Sequence, residues 1–266
     1  MNLPNFETIE FSLTKGLAVL TLNRPDRLNS FNSEMHSEVK QVFRAIASDD
    51  SIRCLLIAAN GRGFCAGQDL SDRAVSVSDE VPDLGASLEN NYNPLIRKIT
   101  NLPMPVICAV NGVAAGAGAN IALACDIVIA AKSASFIQSF NKLGLVPDSG
   151  GTWILPRLVG HARAMHLCLL GEKVPAEKAL EMGMISQVCE DEELLETAKE
   201  LATMLSKAPT KGLSFIKRAI HLSSMNTLDE QLDLERDLQS IAGQSEDYRE
   251  GVAAFMEKRE PNYVGR

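Results

Sequence analysis

A chain of 266 residues, 45% hydrophobic and 5% aromatic, can bury a sizeable core as one domain. Its formal net charge of −8 argues against the broad positive field that captures nucleic acid or an anionic membrane, so any anionic ligand must be held locally. The six cysteines form no CxxC pair and have no histidine at metal spacing, so they read as reduced core residues rather than a disulfide framework or zinc site.

The opening residues have neither the basic start nor the apolar run of a signal peptide, and no stretch is apolar for long enough to cross a membrane. A cytoplasmic protein is expected. Residues 9–14 and 17–22 alternate around Lys15-Gly16 and predict a two-stranded hairpin. From Ser33, read as an N-cap, Met35, Val39, Val42, Phe43 and Ile46 recur at helical spacing as far as Asp49-Asp50. A strand at 54–58, a helix over 88–100, a strand at 106–110, a helix opening near Gly116 and a strand at 127–130 follow. Strands alternating with helices predict a parallel α/β core. Beyond Gly150 the periodicity is almost wholly helical, over 152–158, 162–170, 176–182, 192–206, 211–223, 228–241 and 246–255. The expected division is an α/β core over 1–200 and a helical region over 201–266, with no internal repeat and a mobile loop at 75–85.

Two glycine-bearing turns, Gly61 to Leu70 and Asn111 to Ala119, each follow a predicted strand, where α/β sheets place ligands. Small residues there allow close backbone approach and leave N–H donors at a helix start. Two such turns would supply an oxyanion hole, in which fixed donors hold charge developing on a carbonyl oxygen. Close packing alone would explain the same glycines, and Gly116-Ala117-Gly118 lacks the Lys-Ser/Thr of a phosphate loop. The histidines (His36, His161, His166, His221) stand singly on helical patterns and form no triad or metal spacing.

Five ordered blocks, NRPDRLNSFN, GRGFCAGQDL, PVICAVNGVAAGAGANIALACDIVIA, KLGLVPDSGGTWILPRLVG and EDYREGVAAFMEKREP, are together similar to the crotonase (enoyl-CoA hydratase/isomerase) superfamily from about residue 9 to 261. The resemblance implies repeated ββα units, a C-terminal helical trimerisation region, and homotrimers or dimers of trimers. It implies an acyl-coenzyme A substrate whose thioester oxygen is held by the backbone N–H groups of Gln68 and Ala117. Arg27, Leu28, Ala66, Asp69 and Leu70 would line the coenzyme A channel, and Lys258 would reach its phosphates across a subunit boundary. No metal and no cofactor beyond the substrate's own coenzyme A is implied.

The sequence departs from hydratases of the family at the two glutamates that add water, where it has Asn120 and Phe140. Neither can act as a base, so hydration by that pair is not expected. Asp148, in Val146-Pro147-Asp148-Ser149-Gly150-Gly151, is the remaining carboxylate. Pro-Asp-Ser-Gly is also a good turn sequence in its own right. Isomerases of the superfamily carry a carboxylate at this place, and the PDSGG form looks most like those acting on ring-1,2-epoxyphenylacetyl-CoA in phenylacetate breakdown. With the thioester oxygen held, one base can take and return the proton, and Phe140, Leu145 and Trp153 would help form an apolar pocket. A Δ3,Δ2-enoyl-CoA isomerase, an aryl-CoA dehalogenase using Asp148 as nucleophile, and a noncatalytic or RNA-binding homologue remain open alternatives. A pathway enzyme handing over the unstable epoxide is a candidate partner.

Overall fold

The computed structural model describes residues 4–73 and 83–266. Most of the loop expected at 75–85 lies outside them, and within them Asp83 caps a short helix by accepting a hydrogen bond from the Ala86 N–H at 2.9 Å.

The hairpin forms where expected. β1 (Ile9–Thr14) and β2 (Leu17–Leu22) pair antiparallel around Lys15 and Gly16, both at positive φ, +48° and +84°. Paired positive φ values give a turn whose twist matches that of the strands. α1 (Ser33–Ala47) buries Met35, Val39, Val42, Phe43 and Ile46. Its cap is Asn32, one residue before the expected Ser33: the Asn32 side chain accepts from the Met35 N–H at 2.9 Å. Both residue types cap well, and the extended backbone of Asn32 decides between them.

Three successive units then each place one strand in either of two sheets. β3 (Cys54–Ala59) and β4 (Gly63–Cys65) lead through α2 (Leu84–Ser87) and a π-turn (Leu88–Tyr92) into α3 (Asn93–Asn101). β5 (Val106–Val110) and β6 (Val113–Ala115) lead into α4 (Ala117–Leu123). β7 (Ile127–Ala131) and β8 (Ser135–Ile137) lead into α5 (Gly151–Val159) and α6 (His161–Leu170). The six-stranded sheet runs β1-β2-β3-β5-β7-β10 and the four-stranded sheet β4-β6-β8-β9, with β9 (Lys173–Pro175) and β10 (Gln187–Cys189) completing them. Apart from the β1–β2 and β8–β9 pairs, the strands are parallel.

A structural repeat is therefore present, and the segment beyond Gly150 contributes two strands. Each of the overlooked strands has three residues, too few for alternation to register. The helix expected over 88–100 is a composite whose first part is the π-turn.

β3 and β5 are buried on both faces, as strands of a parallel sheet covered by helices must be. α7 (Ala176–Glu181) follows β9, and α8 (Leu194–Ser206) packs across β3, β5 and β7. The expected division at residues 200/201 thus falls inside a helix that covers the sheet. α9 (Thr210–Ser223), α10 (Leu228–Ala242) and α11 (Glu246–Glu257) complete the chain.

Two cations tie these last helices to the core. The Lys217 ammonium on α9 donates to the Ile99 carbonyl at 2.9 Å and to the Asp126 carboxylate at 2.8 Å. Arg53, just before β3, donates to Thr210 Oγ1 at 2.9 Å and to the carbonyls of Tyr263 at 2.8 Å and Ala208 at 2.6 Å.

Candidate active site

The two glycine-bearing turns abut. Gly67, at φ +89°, is in the left-handed region, and a Cβ there would stand 3.0 Å from the Ala115 carbonyl and 3.3 Å from the Ala117 nitrogen. Gly118 fits against Cys65 just as closely, a Cβ on it falling 2.7 Å from the Cys65 sulfur. The glycines are thus packing devices, as the plainer reading held, and that packing brings Gln68 and Ala117 onto adjoining turns.

The backbone pattern directs both N–H groups away from their neighbours. Phe31 and Gln68 form a parallel bridge in which the Phe31 N–H donates to the Gly67 carbonyl at 2.7 Å and the Asp69 N–H to the Phe31 carbonyl at 2.9 Å. In a parallel bridge the flanking residues carry the bonds, so the N–H of Gln68 itself points to the opposite side. Ala117 is the first residue of α4, and the first helical bond here runs from the Asn120 N–H to the Gly116 carbonyl at 3.1 Å. The N–H groups before it have no helical acceptor. α4 is buried along its whole length, so these donors sit in a low-dielectric setting.

The Gln68 side chain is held at both ends. Its Nε2 donates to the Asp69 carbonyl at 3.3 Å, and its Oε1 accepts from the Tyr92 hydroxyl at 3.0 Å. Tyr92 is buried at the end of the π-turn, edge-on to His36 at 4.6 Å and tilted against Phe31 at 6.0 Å.

Asp148 is half-buried, and one carboxylate oxygen accepts from the Ser149 hydroxyl at 2.9 Å. Ser149 is itself buried and lies at φ +51°, a conformation that costs a non-glycine residue energy and folds the chain back into α5. The Asp148 carbonyl accepts from the Asn120 amide at 2.8 Å. Asn120 stands three residues after Ala117, a rise of about 4.5 Å at helical geometry. Asp148 is therefore joined to the helix that starts at the Ala117 N–H. Phe140 is buried beside Gly116, whereas Leu145 and Trp153 are both exposed, the Trp153 ring being overlaid by the Arg157 guanidinium at 3.9 Å from its centre.

The expected coenzyme A residues fall on two neighbouring segments. Arg27 is exposed on a short 3-10 turn, Leu28 follows it in the left-handed region at φ +49°, and the Leu28 carbonyl accepts from the Ala66 N–H at 3.0 Å. Leu70 is exposed. Asp69 is buried, with its carboxylate held by Arg24 at 2.9 Å and by the Ser71 hydroxyl at 2.6 Å, which clamps the two segments together. The Ser71 hydroxyl first, and Arg24 against the cost of burial, hold its carboxyl below the usual range. Lys258 is exposed at the end of α11, and among the described residues it makes no hydrogen bond or ion pair to either segment. The Arg24–Asp69 clamp, the Tyr92–Gln68 bond and the Ser149–Asp148 bond were not foreseen. They depend on contacts between distant segments, although Arg24 lies in the same NRPDRLNSFN block as Arg27.

Among the described residues no group of three or more His, Cys, Asp or Glu side chains could hold a metal ion, and no helix is long and apolar enough to cross a membrane.

Residues 12–266 match the family model described as enoyl-CoA hydratase/isomerase. The chain is 59% identical to a 1,2-epoxyphenylacetyl-CoA isomerase of Escherichia coli, covering 97% of this chain and all of that protein. It is 38% identical to a trans-2-decenoyl-[acyl-carrier-protein] isomerase of Streptococcus mutans, covering 98% and 100%. A crystal structure of enoyl-CoA hydratase from Bacillus anthracis superposes with a TM-score of 0.89 at 30% identity, covering 98% of this chain and 100% of that one. The alternation of paired strands and helices, the abutting glycine turns and these likenesses agree: the chain belongs to the enoyl-CoA hydratase/isomerase family, with the crotonase fold.

Proposed function

We propose that this protein is an acyl-CoA isomerase that rearranges ring-1,2-epoxyphenylacetyl-CoA to its oxepin isomer. The observation that carries the reading is the Asp148 carboxylate, joined through Asn120 to the helix that begins at the Ala117 N–H, in a site whose usual glutamate positions are an amide and a phenyl ring. The likeness to the Escherichia coli isomerase supports the choice of substrate.

The backbone N–H groups of Gln68 and Ala117 hold the thioester oxygen as it gains charge, each worth roughly 3 kcal/mol in the transition state. Opening an arene oxide to its seven-membered valence isomer breaks the bond between the two epoxide carbons and needs no acid or base. What remains is a proton shift. Asp148 takes a proton from the acyl carbon, the electron pair moves into the thioester as an enolate, and the same proton returns to a ring carbon as the pair moves back. Nothing is gained or lost, so no redox group enters. The same parts would move a 3-enoyl double bond to the 2-position, and a relative that is an isomerase of a 2-decenoyl thioester makes this the second reading.

Arg27, Leu28, Ala66, Asp69 and Leu70 form the coenzyme A channel in this proposal, Asp69 through its main chain because its carboxylate is already engaged. Lys258 meets the phosphates of a substrate bound to a neighbouring subunit, in a homotrimer or dimer of trimers assembled through residues 201–266. Large exposed apolar side chains on α9 and α11, such as Ile220 and Phe255 at 65% and 82% exposure, support burial by another copy. The protein works in the cytoplasm with no added cofactor.

The test is turnover of enzymatically generated ring-1,2-epoxyphenylacetyl-CoA and of a straight-chain 3-enoyl-CoA by wild type and Asp148→Asn, with the isomers, which have equal mass, separated by liquid chromatography and identified by NMR. Proton-shifted oxepin-CoA formed by wild type and lost in the variant, which would leave only the epoxide and its valence isomer, supports the proposal. Turnover of only the straight-chain substrate makes this a fatty-acyl isomerase, and undiminished turnover by the variant removes Asp148 from the mechanism.

A further inference from the structure

The residue in the place of a hydratase glutamate, Asn120, is the centre of a buried three-part contact. Asn120 is fully buried and Gln138 is 5% exposed. The Gln138 amide Nε2 donates to Asn120 Oδ1 at 2.8 Å, and Asn120 Nδ2 donates onward to the Asp148 carbonyl at 2.8 Å. The two bonds fix each other's sense. A main-chain carbonyl can only accept, so Asn120 must present its nitrogen to Asp148 and its oxygen to Gln138, which must answer with its own nitrogen. An ionised carboxylate at position 120 would meet the Asp148 carbonyl with an acceptor and bury a charge.

The third part is Gly151. A Cβ there would fall 2.7 Å from Asn120 Cγ and closer still to its amide nitrogen, so only glycine lets the amide reach past it. The Gly151 N–H also donates to the Asp148 carbonyl, at 2.9 Å. That carbonyl thus receives two donors, one from α5 and one from α4. The residue that follows, Ser149, is buried in a left-handed conformation and bonds the Asp148 carboxylate, so the peptide has little room to rotate.

We propose that Asn120 and Gln138 are positioning residues that lock the Asp148 main chain to the first turn of α4, fixing the carboxylate relative to the Ala117 donor. The proposal rests on Asp148 being the acid/base. It gives position 120 a role in proton transfer without any proton passing through it. A 1 Å displacement of a catalytic group is enough to slow a reaction roughly 100-fold. A buried amide pair with only a packing role would instead alter stability and leave turnover as it was.

The experiment measures exchange of the acyl methylene protons of phenylacetyl-CoA with D2O by NMR, as rate at saturation and KM, for wild type, Asn120→Asp, Gln138→Met and Asp148→Asn. Asn120→Asp keeps the acceptor for Gln138 but loses the donor to Asp148. Gln138→Met removes the partner that orients Asn120, and it carries the test if the first variant does not fold. The expected result for each is a saturated exchange rate lower by roughly ten- to hundredfold, with KM within about twofold of wild type. Folded variants that exchange at the wild-type rate, or whose KM rises in step with the loss, overturn the positioning role. Exchange that persists in Asp148→Asn overturns the acid/base reading itself, which is a separate result.

Discussion

Gly118 lies against Cys65 so closely that a Cβ on it would come 2.7 Å from the Cys65 sulfur and nearer still to its carbonyl oxygen. The obstacle is main chain and cannot swing aside. Gly118→Ala therefore forces the two donor turns apart. A stability loss of about 1–3 kcal/mol is expected from overpacking. If Gln68 and Ala117 hold the thioester oxygen as proposed, turnover should fall further than that strain alone accounts for, by roughly 100-fold, because one of the two donors is misplaced. Calorimetry and steady-state kinetics on one preparation would separate the two effects, and full activity would mean the turns need not touch.

Tyr92→Phe deletes one hydroxyl, the donor to Gln68 Oε1 at 3.0 Å. The ring and its packing on His36 and Phe31 stay in place. One neutral hydrogen bond is worth about 1 kcal/mol, so a roughly fivefold fall in kcat is expected, with KM for the thioester little changed. An unchanged kcat would show that the Gln68 side chain does not steady its own peptide.

The Asp69 carboxyl is held below its ordinary value of 3.8 by the Ser71 hydroxyl and by Arg24. A carboxyl whose folded pKa is lowered contributes stability above the unfolded value and loses it as pH falls through the folded one. Asp69→Asn is therefore less stable than wild type at neutral pH, and the gap closes as pH drops below about 4. Urea titrations across that range would show it. A gap that is constant with pH would assign the loss to shape rather than charge.

Lys217→Met leaves the Asp126 carboxylate, on the rim of the sheet, without its cation. Breaking a largely buried pair this way costs about 3 kcal/mol or more. Adding Asp126→Asn should recover part of the loss, because the uncompensated charge is then gone. Thermal melts of the single and double variants test this, and additive losses would argue against a coupled pair.

Burial pushes the thiols of Cys54 and Cys65 up to about 12 and Cys108 well above its ordinary value. Little thiolate forms at pH 8, so the native protein should react slowly with a disulfide reagent, the half-buried Cys168 and Cys189 first. Unfolding should release all six. A fast-reacting thiol in the folded state would contradict the burial described.

The long elements were legible because their periods are strong: α1 through Met35, Val39, Val42 and Ile46, and the hairpin through its alternation about Lys15-Gly16. The four-stranded sheet was not. Gly63–Cys65 and Val113–Ala115 are strands because each pairs with a distant neighbour, not because of any pattern of their own. The site divides the same way. Gln68, Ala117 and Asp148 stand in motifs that a single chain displays, and their roles remain a proposal. Asn120 could be read as the loss of a glutamate, but the task it performs in the fold, reaching past Gly151 to Asp148, required the positions of residues 28 and more apart in sequence. Arg24 and Tyr92 were hidden for the same reason: each meets its partner across the fold, 45 and 24 residues away.

In the proposed site, the groups that would activate the thioester belong to the main chain, and two packed glycines, Gly67 and Gly118, set their spacing. Every amino acid except proline offers the same donor, so this half of the apparatus is nearly indifferent to side-chain identity. The proton chemistry depends instead on side chains at positions 120, 140 and 148, of which only 148 is a carboxylate here, and they come from different segments. A lineage, or an engineer, could thus exchange one reaction for another by editing the second set while the first persists unaltered. A library that freezes Gly67 and Gly118 and randomises 120, 138, 140 and 148 should yield new proton chemistry on thioesters more readily than one that varies the glycine turns.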